Sequence, residues 1–487
     1  MRDTIIFYIN GKKHELGHKD AFKSLSDYLR YDLGKTGTKV VCAEGDCGAC
    51  TVLVASGRDK EKGKLYYRSI NSCITFLYLM DLHSIITVEG ISNGKELHPV
   101  QSSMRENHGA QCGYCTPGFI CAMAGMTDDL KKKGKCITKK GAKNYLTGNL
   151  CRCTGYEPIL TAALSTDLDK VSPLYDRYHG QDMINEFDNL KGQTLKIKNN
   201  RYELFLPSQI DEAVQLLGEK DIKIISGATD IGVQVNKGHY EMNKALSLYR
   251  IQELGKIEKV NGEFHVGATV TWTEIERAFK NDIPEYSRLL HLFASPQIKN
   301  TGTLVGNIAN ASPIADGIPF LMVCGASVIL LSSKGERTVP LTQFYKGYKD
   351  LDLEKDELIK KVIIPIPQKE HLLKLYKVSL RKDLDISAVT FACKTQIEND
   401  RIKNIKLAYG GVGPVIKRLE KTEHFLENKP WNETTIKEGM NLIEKEISPI
   451  SDLRGSAQFR TQISKNLLMK FFTENQTQQN AGQEKRL

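Results

Sequence analysis

No apolar stretch in this sequence is long enough to cross a bilayer. The longest, Phe320-Leu321-Met322-Val323-Cys324-Gly325-Ala326-Ser327-Val328-Ile329-Leu330-Leu331, is twelve residues, against the roughly 20 that a spanning helix needs. No membrane span is expected. A secretory leader is lacking too, since Met1 to Asn10 has no charged start followed by an apolar core, and a cytoplasmic location is expected. Basic residues are dense only at Lys131-Lys132-Lys133 and Lys139-Lys140, without aromatic stacking positions around them, and the net charge of +10 is spread among acidic residues. That argues against a nucleic-acid groove and favours a solvated surface loop. No G-x-G-x-x-G run is present, so a Rossmann dinucleotide site is not supported. Gly34-Lys35-Thr36 imitates the end of a phosphate-binding P-loop, but Leu29 stands where that motif needs glycine. The eleven histidines form no metal-like cluster and are expected at the surface or in packing.

Cysteine, by contrast, is plentiful. Of twelve, eight fall into two spaced sets. The first is Cys42-Ala43-Glu44-Gly45-Asp46-Cys47-Gly48-Ala49-Cys50, completed by Cys73. A C-x4-C-x2-C loop with a distant fourth thiolate is the ligand pattern of a plant-type 2Fe-2S cluster. Gly45 and Gly48 suit a loop wrapped closely around such a group. Zinc sites more often pair two C-x2-C knuckles, and in a long chain without a leader cysteines are metal ligands or redox groups more often than disulfides. The second set is Cys112 and Cys115 with Cys151 and Cys153, a spacing that leaves zinc and iron–sulfur both open. Pro117 suits the first turn of a helix, and a helix start favours an anionic group. Cys121, Cys136, Cys324 and Cys393 are expected as buried small apolar residues.

A chain of 487 residues, 40% apolar and 26% charged, reads as roughly three or four soluble globular domains. Asn10-Gly11 between Thr4–Ile9 and the segment near His14-Glu15-Leu16 predicts a hairpin. A short helix near Ser24–Arg30 and strands at Thr51–Ala55 and Lys64–Ile70 complete a β-rich start. Phe119–Leu130 and Thr138–Leu146 read as helices. Residues 166–195 are sparse in apolar residues and read as a linker. From Tyr202 the pattern becomes α/β, with a helix at Ile210–Leu217, a strand at Ile222–Ile225 running into Ser226-Gly227-Ala228-Thr229-Asp230-Ile231, and a second glycine-containing loop at Asn300–Asn307. Such loops bring backbone N–H groups up to a pyrophosphate or serve as ordinary turns. Beyond 370 strands return at Leu373–Leu380, Ser387–Ile397 and Ile402–Tyr409, followed by helices and a Gln- and Asn-rich end expected to be disordered.

Taken together, the cysteine loop, then CGYCTPG at Cys112, GNLCRCTGY at Gly148 and NTGTLVGNIANASPIAD at Asn300 resemble the xanthine dehydrogenase family of molybdenum hydroxylases over nearly the whole chain. The resemblance is to the portion that carries iron–sulfur and flavin domains without the molybdenum domain. It implies a multidomain α/β (α+β) chain: a ferredoxin-like β-grasp 2Fe-2S domain over 1–85, a four-helix-bundle 2Fe-2S domain over 86–165, the linker 166–195, an FAD-binding domain of the vanillyl-alcohol-oxidase/PCMH type over 196–370, an α+β C-terminal domain over 371–475 and a disordered tail over 476–487. Cys42, Cys47, Cys50 and Cys73 would hold one cluster, and Cys112, Cys115, Cys151 and Cys153 the other. FAD would be held by Ile224, Ile225, Ser226, Gly227, Ala228, Thr229, Asp230 and Ile231, by Thr303, Leu304, Val305, Gly306 and Asn307, and by Phe293, Asp316, Leu358 or Ile359, and Lys377. The loop Ser379–Ile386 is similar to one that lies near the flavin and influences whether NAD or oxygen takes the electrons. No side chain is expected as a general acid or base. The resemblance further implies a molybdenum-cofactor subunit as partner in a heterotetramer, oxidation of hypoxanthine or xanthine on that partner, and NAD as acceptor. Aldehyde oxidases and other aza-aromatic hydroxylases share the arrangement, and an iron–sulfur carrier without flavin is the reading from another class.

Overall fold

Asn10 and Gly11 take left-handed φ values of 50° and 80°, the pair of positive angles that a tight two-residue hairpin turn requires. They join Ile5–Ile9 to Lys12–Leu16 in antiparallel register, Ile5 opposite Leu16 and Ile9 opposite Lys12. This hairpin opens a five-stranded sheet in the order Lys12–Leu16, Ile5–Ile9, His83–Ile86, Thr51–Ser56, Arg68–Asn71, whose one parallel pair is Ile5–Ile9 with His83–Ile86. The computed structural model of the chain describes residues 2–17, 20–61, 63–218 and 222–484. It divides into two compact units, residues 1–252 with 295–302, and residues 253–294 with 303–487.

Within the first unit, alternation along Thr51–Ser56 sends Val52 and Val54 to one side of the sheet and Leu53 and Ala55 to the other. Val52 and Val54 join Ile5, Phe7, Ile9, Leu25 and Leu29 in one core. Leu53 and Ala55 join Phe119, Met123 and Met126 of the long helix Thr116–Lys133 in a second. Both faces of the sheet are therefore covered, which explains why every residue of that strand is buried. The helix approaches closely at Gly125, where an added Cβ would stand 2.9 Å from a methyl of Leu53. Pro99–Glu106, Lys139–Leu146 and Glu157–Leu164 complete a four-helix domain. Lys131, Lys132 and Lys133 form the last turn of Thr116–Lys133 rather than a loop, where cations complement the helix dipole.

Residues 166–195, expected as a linker, are not one. They contain the helices Leu174–Arg177 and Gln181–Leu190, and Leu174, Met183, Ile184 and Phe187 are buried in the core of the helical domain. Met183, Ile184 and Phe187 recur at i, i+1 and i+4, enough for one face of a short helix, and each buried side chain contributes about 1.5–3 kcal/mol. The unit closes with a four-stranded sheet in the order Lys223–Ile225, Lys244–Ser247, Glu203–Leu206, Leu195–Lys198.

The second unit holds a five-stranded antiparallel sheet in the order Ile257–Val260, Glu263–Gly267, Leu358–Pro365, Ser327–Ser332, Gly335–Pro340, and a four-stranded one in the order Leu372–Val378, Val389–Glu398, Arg401–Gly410, Lys417–Arg418. Val389, Phe391, Leu407 and Tyr409 pack against Leu468, Phe471 and Phe472 of the final helix. That helix is Ala457–Glu484. Residues 485–487 lie outside the described residues. The longest apolar run bends at Gly325, φ 75°, between the helix Ile318–Cys324 and the strand Ser327–Ser332. Among the described residues no helix is long and apolar enough to cross a membrane.

Candidate iron–sulfur and flavin sites

The first cysteine loop leads into the strand Thr51–Ser56, and its turns depend on left-handed backbone at Ala43, Gly45 and Gly48, φ 56°, 74° and 68°. Cys73 sits in the short turn Ser72–Ile74 after the neighbouring strand Arg68–Asn71. Strand pairing thus delivers the fourth thiol to the loop. Cys42 lies within hydrogen-bonding reach of both Cys47 and Cys73, and Cys50 of Cys73. The Cys42 sulfur accepts backbone N–H groups of Glu44 and Cys47, each at 3.4 Å. Ser72 Oγ donates to the Cys50 carbonyl at 2.7 Å and Asn71 Nδ2 to the Gly45 carbonyl at 2.6 Å. Cys50 and Cys73 are buried against Ile74, Val40, Val233 and Ile298.

In the second set Cys115 caps the helix Thr116–Lys133 with Pro117 in its first turn, as the sequence predicts. Cys151 and Cys153 precede the helix Glu157–Leu164. Cys112 and Cys153 meet with their sulfurs 3.6 Å apart, and Cys115 meets Cys151. Burial, and then the neighbouring Cys151 thiol, push the Cys115 thiol up to about 12. Burial works against the charged form of Cys151 as well, but the Thr154 hydroxyl and backbone donors outweigh it and hold that thiol below its ordinary value.

Among the described residues no three His, Cys, Asp or Glu side chains converge as a site for a single ion. In the second set the thiols meet in pairs, Cys112 with Cys153 and Cys115 with Cys151, and in the first they run in a chain from Cys47 through Cys42 and Cys73 to Cys50. Two sulfurs on one tetrahedral metal with bonds of about 2.3 Å stand about 3.8 Å apart, close to the Cys112–Cys153 separation. Four thiols gathered at one place match the donor set of a two-iron cluster, in which each iron takes two thiolates. Both sets fit that group. Of the four leftover cysteines, Cys121, Cys324 and Cys393 are buried as expected, whereas Cys136 is exposed. It lies between the helices Thr116–Lys133 and Lys139–Leu146, outside the packed helical faces.

The two sets are joined directly. The Leu150 N–H donates to the Cys47 carbonyl at 2.9 Å, and Asn149 Nδ2 donates to the Gly48 carbonyl at 2.9 Å. Gln297, fully buried, donates to Asn149 Oδ1 at 2.9 Å and Thr51 Oγ1 at 3.2 Å. On its other side the first loop meets the helix Thr229–Asn236: Asn236 Nδ2 donates to the carbonyls of Cys73 and Ala43 at 2.8 and 3.0 Å. A Cβ on Gly232 of that helix would stand 2.3 Å from the Ile74 carbonyl. Asn149, Gln297 and Asn236 were not among the expected site residues, because nothing local in sequence marks an amide whose partners are remote.

Ile224 and Ile225 end the strand Lys223–Ile225, Ser226 and Gly227 form the turn, and Ala228, φ 58°, precedes Thr229, Asp230 and Ile231 in the helix. At Gly227 a side chain has no room, since its Cβ would stand 2.2 Å from the Thr301 carbonyl. In the second unit Thr303 caps Leu304–Asn310 by accepting the Gly306 N–H at 3.1 Å, with Leu304 and Val305 buried. Among the described residues Asn307 Oδ1 is buried without a hydrogen-bonding partner, a feature of a site awaiting a donor. Phe293 packs edge-on against Trp272. Ile359 is buried opposite Leu330 in its sheet, next to Leu358. Asp316 and Lys377 form a buried ion pair at 2.7 Å, in which Asp316 also accepts from Ser387 and Thr390, and Lys377 also donates to the Asp385 carbonyl. In the first unit the glycine turn at 227 is the kind of backbone that a dinucleotide phosphate would engage. In the second unit the amide oxygen at 307 is the kind of polar group that fixes a ligand's orientation.

Four thiols in each of two linked sets, one of them tied to the helix behind a glycine turn, are the donor sets that iron–sulfur electron-transfer proteins use. Its relatives bear this out. Residues 7–78 match the family described as 2Fe-2S iron-sulfur cluster binding domain, and residues 87–164 the [2Fe-2S] binding domain. Residues 200–367 match the FAD binding domain in molybdopterin dehydrogenase, and residues 374–475 the CO dehydrogenase flavoprotein C-terminal domain. Xanthine dehydrogenase 1 of Arabidopsis thaliana is 29% identical, the alignment taking in 96% of this chain and 39% of that protein. The chain thus spans about two fifths of the length of the curated relatives it matches. Quinoline 2-oxidoreductase from Pseudomonas putida 86 superposes with a TM-score of 0.52 at 26% identity, over 57% of this chain and 98% of that one. Carbon monoxide dehydrogenase from Hydrogenophaga pseudoflava superposes with a TM-score of 0.53 at 23% identity, over 56% and 96%, a likeness of fold. In order along the chain these matches give two 2Fe-2S domains, an FAD-binding domain and a flavoprotein C-terminal domain, the set found in molybdenum hydroxylases.

Proposed function

We propose that this chain is the iron–sulfur and flavin subunit of a cytoplasmic xanthine dehydrogenase. A molybdenum-cofactor subunit in a heterotetramer would oxidise hypoxanthine or xanthine, and electrons would pass through the helical-domain cluster, the plant-type cluster and FAD to NAD. The observation that carries this reading is the 2.9 Å hydrogen bond from Leu150, which adjoins Cys151, to the carbonyl of Cys47. It provides a short bonded route between ligands of the two cluster sites, and Asn236 continues it from Cys73 toward the glycine turn at 227.

In this reading Cys42, Cys47, Cys50 and Cys73 hold one cluster and Cys112, Cys115, Cys151 and Cys153 the other. The turn from Ile224 to Ile231 and the stretch from Thr303 to Asn307 approach the FAD pyrophosphate, with Phe293, Asp316, Ile359 and Lys377 as further contacts. The groups themselves supply one-electron transfer and, at the flavin, hydride transfer. This chain's residues bind them and set their surroundings. For the acceptor, Asp383 is exposed on the loop after Val378, whereas Asp385 is tied back to Arg381, leaving Asp383 as the carboxylate available to orient a nicotinamide cofactor. Xanthine as the substrate rests on the named relatives, and the likeness to quinoline 2-oxidoreductase supports another aza-aromatic substrate as the second reading.

The test is anaerobic purification followed by visible absorbance and electron paramagnetic resonance before and after NADH. Flavin bleaching with two distinguishable 2Fe-2S signals is expected. Clusters reduced by dithionite, with no flavin and no response to NADH even after added FAD, would favour the flavin-free carrier. Xanthine and quinoline supplied to the complex with its partner subunit then separate the two substrate readings.

A further inference from the structure

Thr154 lies between the second cysteine pair and the helix Glu157–Leu164, in a turn built around two consecutive left-handed residues, Gly155 at φ 66° and Tyr156 at φ 69°. Such an angle costs glycine little but strains a tyrosine, so the surroundings must hold it. They do so through three hydrogen bonds. The Tyr156 N–H donates to Thr154 Oγ1 at 3.2 Å. The Cys151 N–H donates to the Tyr156 hydroxyl oxygen at 3.1 Å. The Thr154 hydroxyl donates to the Cys151 sulfur at 3.2 Å. The first bond governs the third: with an N–H occupying its oxygen, the threonine hydroxyl directs its own proton onto the sulfur.

We propose that Thr154 is a positioning residue that raises the reduction potential of the helical-domain cluster through its hydrogen bond to Cys151, with the Tyr156 turn holding the hydroxyl in place. The physical argument is electrostatic. Reduction adds one electron to a cluster, and part of the added charge falls on the thiolate sulfurs. A donor aimed at one of them strengthens as that charge grows, so it stabilises the reduced form more than the oxidised one. The site is asymmetric in this respect. Cys151 is buried and receives the hydroxyl, whereas Cys112 and Cys153 are exposed to water. A fixed donor in the sheltered part of the site has more effect than one competing with solvent.

The proposal rests on reading Cys112, Cys115, Cys151 and Cys153 as a 2Fe-2S site, and the experiment separates the two. The full chain is titrated with dithionite, one electron per cluster, while both signals are followed by electron paramagnetic resonance, with Cys112→Ser assigning the helical-domain signal. Iron and sulfide for one cluster only in the unsubstituted protein would overturn the site reading itself. With both clusters present, Thr154→Val keeps the shape and removes the donor. Its helical-domain cluster is expected to shift roughly tenfold toward the oxidised form at a given potential, about 59 mV lower for a one-electron couple, while the plant-type midpoint stays where it was. Thr154→Ser should restore the original value. An unmoved midpoint in Thr154→Val, or equal movement of both clusters, would sink the proposal. Should Thr154→Val assemble poorly, Thr154→Ala makes the same comparison. Loss of the cluster in both, with retention in Thr154→Ser, would assign Thr154 to assembly and overturn the tuning role.

Discussion

A side-chain carbon on Gly48 would stand 2.2 Å from the carbonyl oxygen of Gly148. The two cysteine loops touch backbone to backbone there, and Gly48 is also left-handed at φ 68°. An alanine would meet both a clash with backbone, which cannot yield as a side-chain tip can, and a conformational cost of about 1–3 kcal/mol. Gly48→Ala is expected to lose the plant-type cluster and to disturb the helical one. Iron per chain should fall by about half or more, since both are two-iron centres, and metal analysis with electron paramagnetic resonance checks it.

Gly227 makes a similarly close approach, to the Thr301 carbonyl at 2.2 Å, but within the proposed flavin turn. Gly227→Ala should lower flavin content several-fold while leaving both cluster signals at full intensity. Flavin and iron measured on the same preparation distinguish this from general unfolding.

Asp316 and Lys377 pair inside the second unit, their side chains 9% and 2% exposed. Removing the cation alone leaves a buried carboxylate without its partner, a loss of about 3–5 kcal/mol. Lys377→Met should therefore destabilise strongly, and adding Asp316→Asn should recover much of the loss, because the amide still bonds Ser387 and Thr390. Lys377→Met also frees the Asp385 carbonyl, so proteolysis in the loop Ser379–Ile386 should quicken. Denaturant unfolding and limited digestion read the two effects.

Asp128 is buried in the helical domain, accepting the Leu174 N–H at 3.0 Å, and burial raises its carboxyl to about 7. A carboxyl raised in the folded state contributes stability at low pH, and loses it as pH climbs from about 4 to about 7; by linkage the loss amounts to up to about 4 kcal/mol. Burial lowers His83 and His98 to about 4, and these oppose the trend, because their contribution is lost as pH falls through about 6.5 to 4. Asp128→Asn should therefore be compared with the unsubstituted chain at each pH. The variant gains relative stability between pH 5 and pH 8, and thermal unfolding at both values checks the sign.

What could be read from sequence was what local chemistry governs. Asn10-Gly11 predicts its hairpin because both turn angles belong to those two residues, and Pro117 marks a helix start because its ring prepares the first turn. The cysteine spacings identify their loops because ligands to one group must lie close along the chain or on paired strands. The helix Gln181–Leu190 escaped because its apolar face is only three residues wide and is stabilised by remote partners. Asn236 and Gln297 serve the cluster loops across more than a hundred residues, and a single sequence carries no mark of such pairings. Cys136 departs from its expected burial for the opposite reason: burial preference is a tendency of the residue type, and the packing of its neighbours decides.

The short segment Ser295–Gly302 belongs to the first unit although the chain on either side of it belongs to the second. It supplies Gln297 to Asn149 and Thr51, and Asn300 to the Ser69 carbonyl. Cutting the gene after Gln252 would thus deliver an iron–sulfur half deprived of a strap that its own cysteine loops lean on. Recombination between relatives meets the same constraint: a grafted cluster module inherits a foreign strap unless the exchange carries this small insert along. The four domains read as beads on a string in sequence, but as heritable parts they are stitched.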